Sequence, residues 1–530
     1  MLPSEPGGFR LYDTTLRDGA QQEGIQLSVA DKLRVVDLLD GLGIPFIEGG
    51  WPGANAKDTA FFAEVRGRKL RQAKLVAFGA TRKAGRVASE DPQIAALVAA
   101  GTDWICLVAK AHAGHVRQAL RTTQEENLAM VHDSVSWLVG QGKHVIVDAE
   151  HYFEGFMEDM GYAREVVKTA ADAGAAWVVL CDTNGGMLPA QISDVVSRTL
   201  AAGVDLGIHC HNDTGCALAN SLSAIDAGVL MAQGTMNGYG ERTGNLDLVQ
   251  LIGDLHLKYR WNLLTDEQLG TLTHVSNAVA DIVGQPRQPR QPYVGASAFA
   301  HKAGLHASAV KVDESLYQHV SPEAVGNRMR MLISDASGRA NVELKSRELG
   351  LDLSTPGVVE GVVETVKARE AAGYSYEAAD ASFELLARDV AGQLAKPFEV
   401  VRWRVVTLGD EHVNSSEATV TMVIAGERVA RVGEGNGPVD SLGDGLRQAL
   451  SARYPTVDSF ELVDYRVRIL DTGRGTDATV RVWIDTVDGS DHRWTTVGVG
   501  TNVIEASWEA LSDAYLFGIV KGYGSPSPAS

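Results

Sequence analysis

The stretch Gly207–Asn220, GIHCHNDTGCALAN, sets His209 and His211 two positions apart, followed at once by Asn212 and Asp213. In a strand, residues i and i+2 share a face; on a helix the same pair diverges by about 200°. If the segment is a strand, both imidazoles point the same way and can grip one ion. Two neutral imidazole nitrogens and a carboxylate oxygen suit a divalent cation that keeps positions open for water or substrate. Asp18, in LYDTTLRDGAQQEG, is the carboxylate that a closed ring of strands would bring there. An isolated HxH pair reads better as two hydrogen-bonded histidines; with Asp18 added, the metal reading is preferred, and the set accepts Mg2+, Mn2+, Co2+ or Zn2+. Arg17 is either an ion-pair partner at a barrel mouth or a fixed cation facing a developing oxyanion. Thr183, in CDTNGG, either caps a helix or donates its hydroxyl to a substrate carboxylate.

These residues need elements that bring them together. From Phe9 to about Tyr259 short β-rich runs alternate with amphipathic helical stretches such as VADKLRVVDLLDGLG, several closed by a glycine stop. About eight such units predict a parallel (β/α)8 barrel, with a doubly wound open sheet as the structural alternative. A barrel puts its chemistry at the C-terminal strand ends. The polar groups fall there: Arg17 and Asp18 after the first strand, Glu48 on the second, Glu150 and His151 on the fifth. Asp182, Thr183 and Asn184 follow on the sixth, His209, His211 and Asp213 on the seventh, and Asn237, Glu241, Arg242 and Asn245 after the eighth.

Taken in order, LYDTTLRDGAQQEG, CDTNGG, HCHNDTGCALAN and NGYGERTGN resemble the DRE-TIM metallolyase superfamily, and within it the 2-isopropylmalate, homocitrate and citramalate synthases. AQQEG, IEGGWPG and RMRMLISDASGRANVELK are most similar to the long citramalate synthases, and the resemblance covers nearly the whole chain. It implies that Asp18, His209, His211 and Asn245 hold a divalent metal. It implies that Arg17 stabilises an enolate or carbonyl oxygen and that Thr183 binds the carboxylate of a 2-oxo acid. Glu150 is implied near metal and acid, His306 of HKAGLHASAV as part of the base, and Tyr317 of SLYQHVSPEAVGN in the acetyl-CoA region. One segment departs from the pattern: where related sequences read like GKSWDFHV, Lys110–Val116 is KAHAGHV, with His112 at a tryptophan-like position.

Gly284–Gly295, GQPRQPRQPYVG, reads as an exposed linker. The expected division is a catalytic barrel over 1–283, helical linker subdomains completing the active site over 284–397, a C-terminal α+β regulatory domain over 398–521, and a disordered tail over 522–530. In the third part RVARVGEGNGPVDSLGDGLRQAL from Arg428 aligns without gaps to RWTTVGVGTNVIEASWEALSDAY from Arg493. Each copy reads as strand, glycine turn and helix, and the turns at Gly433–Gly437 and Gly498–Asn502 offer N–H groups for a carboxylate. The resemblance implies an allosteric, dimer-forming domain that binds a branched-chain amino acid, isoleucine first and leucine second.

The formal charge of −19 over 530 residues argues against nucleic acid or an anionic membrane as partner. No apolar run approaches the ~20 residues of a membrane span, and the N-terminal segment has no signal-peptide pattern. Four cysteines without a CxxC pair fit a reducing cytoplasm. The expected function is a metal-dependent acyltransferase that performs a Claisen condensation of acetyl-CoA with pyruvate, giving (R)-citramalate and CoA toward isoleucine. The alternative acceptor is 2-oxoisovalerate, the 2-isopropylmalate synthase reaction. A carbon–carbon lyase of the same superfamily and an amino-acid sensor without chemistry are disfavoured, the first by the long C-terminal repeat and the second by Arg17, Asp18, His209 and His211.

Overall fold

The computed structural model describes residues 7–200, 205–409, 414–471 and 473–524. The chain forms two units: Met1–Phe299 with Val320–Arg328, and Ala300–His319 with Met329–Ser530.

The first unit is a closed parallel barrel, not an open sheet. Its strands are β1 (Arg10–Asp13), β2 (Phe46–Gly50), β3 (Lys74–Ala80), β4 (Trp104–Lys110), β5 (His144–Glu150), β6 (Trp177–Asp182), β7 (Leu206–Cys210) and β8 (Met231–Gly234), each paired with its sequence neighbour and β8 closing on β1. The helices form where the sequence signals them. Val29–Leu42 starts at a capping box in which Ser28 accepts from the Asp31 N–H and Asp31 answers the Ser28 N–H, and it stops at Gly43 with φ 105°. Strand alternation then sorts the side chains. Leu206, Ile208 and Cys210 of β7 pack outward against the helical shell, and Ile105 and Leu107 of β4 do the same. Tyr12, Phe46, Val76, Phe78, Trp104, Cys106, Ile146, Val179, Cys181 and Met231 fill the barrel interior. His209 shares the inward parity of β7. Below it stands Gly207, where a Cβ would come within 2.9 Å of Val179.

The proline- and glutamine-rich segment after the barrel is exposed only in its first half. Pro286–Arg290 lie in solvent, but Gln291 donates to Asn237 Oδ1 at 3.1 Å and Asp247 Oδ2 at 2.9 Å. Tyr293 is buried and donates to Asp254 at 2.6 Å. The linker expectation for 284–295 is therefore corrected beyond Arg290: the apolar Tyr293 and Val294, invisible in a composition dominated by proline, dock the chain on the barrel.

The second unit opens with a two-stranded parallel sheet, β9 (Ala300–His301) and β10 (Arg330–Met331). Helices Arg339–Glu348, Val358–Ala371 and Asp380–Val390 follow, around Val342, Val362, Val366, Tyr376 and Phe383. Two copies of one motif complete it. The first is the antiparallel sheet β11 (Phe398–Gly409), β12 (Asn414–Ile424) and β13 (Glu427–Gly435) with helix Pro438–Leu450. The second is β14 (Glu461–Ile469), β15 (Val480–Val487) and β16 (Arg493–Gly500) with helix Val503–Lys521.

The repeated glycines have a different reason from the one the sequence suggested. Gly433 and Gly498 lie inside strands, and a Cβ there would strike the following helix: Ser441 O and Gly445 N in one copy, Ala506 O and Ala510 N in the other. They let helix and sheet touch. Only the second helix start is capped by a side chain, Ile504 N–H on Asn502; in the first copy Asp440 takes the Asn436 N–H just ahead of the helix. Among the described residues no helix is long and apolar enough to cross a membrane. Residues 522–524 are described, with Tyr523 stacked on His492 at 4.5 Å; the rest of the expected tail, 525–530, lies outside the described residues.

If close packing is the reason for Gly498, Gly498→Ala destabilises the second unit by about 1–3 kcal/mol. Gly443→Ala, mid-helix with only Leu511 Cδ2 at 3.8 Å, stabilises it by about 0.5–1 kcal/mol. Chemical denaturation of the two variants checks the opposite signs.

Candidate active site

A cavity of about 430 Å3 opens at the C-terminal ends of the strands, and Arg17, Asp18, Thr183, His209 and His211 line it. His209 is on β7; His211 follows its last residue and forms an isolated antiparallel bridge with Asn245. Asp18 is delivered by a tight turn after β1, in which the amides of Arg17, Asp18 and Gly19 all donate to Thr14 O. Asp13 pins that turn through Thr15, whose hydroxyl accepts from the Met236 N–H of the β8 loop at 2.9 Å.

Asp18 Oδ2 lies 3.2 Å from His209 Nε2 and 3.9 Å from His211 Nε2. One ligand atom from each of the three lies within 4.8 Å of the others, and all three residues are buried. A divalent ion fits this donor set, and orphaned atoms beside it support the fit. Asn245 donates its amide to Tyr239 O at 3.1 Å, which leaves Oδ1 buried without a hydrogen-bond partner. His211 Nδ1 is buried and unpartnered too. The φ of 154° at Gly240 makes the room: a Cβ there would run into Asn245 Nδ2.

Burial alone would raise the Asp18 carboxyl, but the Arg17 guanidinium and the two imidazoles hold it well below the usual carboxylate range. Burial opposes a charge on His209, yet the hydrogen bond and charge of Asp18 prevail and raise its pKa. His211 goes the other way: burial and the neighbouring His209 depress it to about 4. Near neutrality His211 thus presents a free lone pair, while His209 competes for a proton.

Arg17 Nε donates to Glu48 Oε1 at 2.6 Å, Nη1 lies 3.4 Å from Asp18, and the guanidinium sits 3.8 Å over the Phe78 ring. Glu48 is fully buried and also accepts from Tyr12 Oη at 2.5 Å. Thr183 Oγ1 accepts from the His151 N–H at 2.8 Å, which leaves its hydroxyl proton for another partner. Arg242 holds Asp213 through two contacts, 2.8 and 2.9 Å, and reaches Thr183 O. Glu150 pairs with Lys110 at the cavity wall. Trp51, Phe78, Ala80 and Val108 give that wall an apolar side, Trp51 and Phe78 meeting edge to face at 5.3 Å.

Of the KAHAGHV segment, Lys110 belongs to the cavity wall. His112 caps a short turn by accepting from Gly114 N–H and stacks on His115 at 4.3 Å, which meets His151 at 4.2 Å. His306 and Tyr317 belong to the second unit, their rings stacked at 4.1 Å. Sequence reading missed Gln233 and Asp148, inward residues of β8 and β5 that bond to each other at 2.9 Å, with Gln233 bonded in turn to His209 at 2.9 Å. The available signal was parity: in MAQG Gln233 is the polar residue of the inward face, and in VIVDAE Asp148 shares that face with Glu150.

If the cluster binds a divalent ion, calorimetry at pH 6 in buffers of differing ionisation heat will find about one proton released per ion, from His209. Affinity will fall about tenfold for each pH unit below the His209 pKa. Release of two protons would mean that His211 is charged as well.

The chain matches the family HMGL-like over residues 8–279, the homocitrate synthase post-HMGL domain-like family over 293–373, and the LeuA allosteric (dimerisation) domain over 377–517. It is 55% identical to an (R)-citramalate synthase of Streptomyces coelicolor over 98% of each chain. It is 45% identical to an (R)-citramalate synthase of Synechocystis over 96% of each. A probable 2-isopropylmalate synthase of Methanopyrus kandleri is 30% identical over 96% of this chain and 97% of its own.

Proposed function

We propose a reaction from a membership: the chain belongs to the HMGL-like family of the DRE-TIM superfamily and, along nearly its whole length, to the (R)-citramalate synthases. It is an acyltransferase that condenses acetyl-CoA with pyruvate to give (R)-citramalate and CoA. The observation that carries the chemistry is the buried Asp18–His209–His211 cluster beside the Arg17 guanidinium, opposite an apolar wall.

Asp18, His209, His211 and the free Oδ1 of Asn245 would hold a divalent ion, which as a Lewis acid polarises the ketone of the acceptor. Mg2+, Mn2+, Co2+ and Zn2+ all suit that set. The Thr183 hydroxyl, its oxygen already occupied by the His151 amide, donates to the acceptor carboxylate. Phe78, Ala80 and Val108 receive the methyl group. Arg17, held rigid by Glu48 and Phe78, faces the oxygen on which negative charge develops, and burial strengthens that interaction. Glu150, tied to Lys110, borders the same space. In this reading His306 takes a proton from the acetyl methyl carbon, with Tyr317 at the thioester. The methyl carbon then bonds to the ketone carbon as the C=O π pair moves to its oxygen, which takes up a proton, and water cleaves the thioester to give the free carboxylate and CoA.

The three matched families support a division into a catalytic barrel over 1–283, linker subdomains over 284–397 and a regulatory domain over 398–521. The dimerisation domain supports a homodimer. Leu462, Val463, Tyr465, Val467 and Ile469 of β14 stand exposed in the single chain, as a surface meant for a second copy would. For the effector we retain isoleucine before leucine.

Among pyruvate, 2-oxobutyrate, 2-oxoisovalerate and 2-oxoglutarate, pyruvate will give the highest kcat/KM in a free-thiol assay with acetyl-CoA. A higher value for 2-oxoisovalerate would turn the assignment to 2-isopropylmalate synthase. Arg17→Lys will lower kcat about a hundredfold or more while metal stays bound, because an ammonium cannot hold Glu48 and face the oxyanion together. A near-normal rate would remove Arg17 from the transition state.

A further inference from the structure

Resting on the metal reading above, we infer that Gln233, held by Asp148, is a positioning residue that fixes His209 in the form whose Nε2 lone pair faces the ion.

The three residues come from separate strands and meet inside the barrel. His209 and Gln233 are partners in the β7–β8 register, and Asp148 faces them from β5. Gln233 is fully buried; Asp148 and His209 are each 4% exposed. Gln233 Nε2 donates to Asp148 Oδ1 at 2.9 Å. With its nitrogen committed to the carboxylate, the amide turns its oxygen to His209, and Oε1 lies 2.9 Å from Nδ1. An amide oxygen only accepts, so Nδ1 carries a hydrogen. In a neutral imidazole that leaves the lone pair on Nε2, the atom 3.2 Å from Asp18 Oδ2. Asp148 therefore sets the direction of the amide, and the amide sets the tautomer and ring plane of the ligand.

His211 has no such support: its Nδ1 is buried without a hydrogen-bond partner. The cluster thus holds the ring of one ligand in place before metal arrives and has a second ligand whose tautomer the metal must select. Partners of this kind are worth about 10–100-fold in metal affinity.

The test is Mn2+ titration by calorimetry on the full chain at one pH, with the metal-free melting temperature recorded for each protein. Gln233→Leu will bind Mn2+ about 10–100-fold more weakly than the unaltered chain, while its metal-free melting temperature shifts by only a few degrees. Gln233→Glu, which mimics the amide once it shares a proton with Asp148, will recover most of the loss; a merely space-filling role would make it the worse substitution. Asp148→Asn, isosteric and independent of whether Gln233→Leu folds, removes the fixed acceptor and will weaken binding in the same direction by less. Gln233→Leu and Asp148→Asn binding Mn2+ as tightly as the unaltered chain, or Gln233→Glu no better than Gln233→Leu, would overturn the inference. An unaltered chain that binds no Mn2+ would overturn the metal reading beneath it.

Discussion

The first unit depends on how one buried carboxylate is satisfied. Asp18 lies out of solvent with two imidazoles and a guanidinium around it, and a buried charge stripped of its partners costs about 3–5 kcal/mol. Its neighbours are held in turn. Arg17 is fixed by Glu48 and Glu48 by Tyr12; His209 is fixed by Gln233 and Gln233 by Asp148. The result is one polar chain from Tyr12 to Asp148 through the upper barrel, drawn from β1, β2, β5, β7 and β8 and the turn after β1. The apolar layer of Phe46, Val76, Trp104, Ile146 and Met231 shares the interior with it. His209 is therefore placed by a strand, while Arg17 and Asp18 are placed by the hydrogen-bonded turn after β1.

The chain of hydrogen bonds also explains why the cavity has two unlike sides. The Asp18, His209 and His211 side has an orphaned acceptor at Asn245 Oδ1 and an unpartnered ring nitrogen at His211 Nδ1. The Trp51, Phe78, Ala80 and Val108 side has no charge to offer. A small acid with a carbonyl, a carboxylate and a methyl group is divided correctly between them. Arg17 joins the two sides, its face on Phe78 and its edge on Glu48 and Asp18.

Much of this was legible in the residues. The two-residue spacing of His209 and His211 gave a common face, and alternating runs gave the barrel. The barrel in turn brought Asp18 to the seventh strand's neighbourhood, with only β8 between. Parity arguments could have found Gln233 and Asp148, but their bond spans 85 positions, and no local pattern announces such a pair. The linker misled for a related reason: proline and glutamine dominate its composition, while two apolar residues, Tyr293 and Val294, decide where it docks. The repeat at Gly433 and Gly498 was visible, yet its physical reason was not. A glycine that frees an amide and a glycine that lets a helix approach look alike until the helix is seen.

Convergence of Asp18, His209 and His211 on one divalent ion is tested by anomalous diffraction from crystals of the full chain soaked with Mn2+. One strong anomalous peak is expected at the mouth of the barrel, about 2.0–2.3 Å from Asp18 Oδ2, His209 Nε2 and His211 Nε2. Ordered density for all three side chains with no peak between them, at saturating Mn2+, would contradict it.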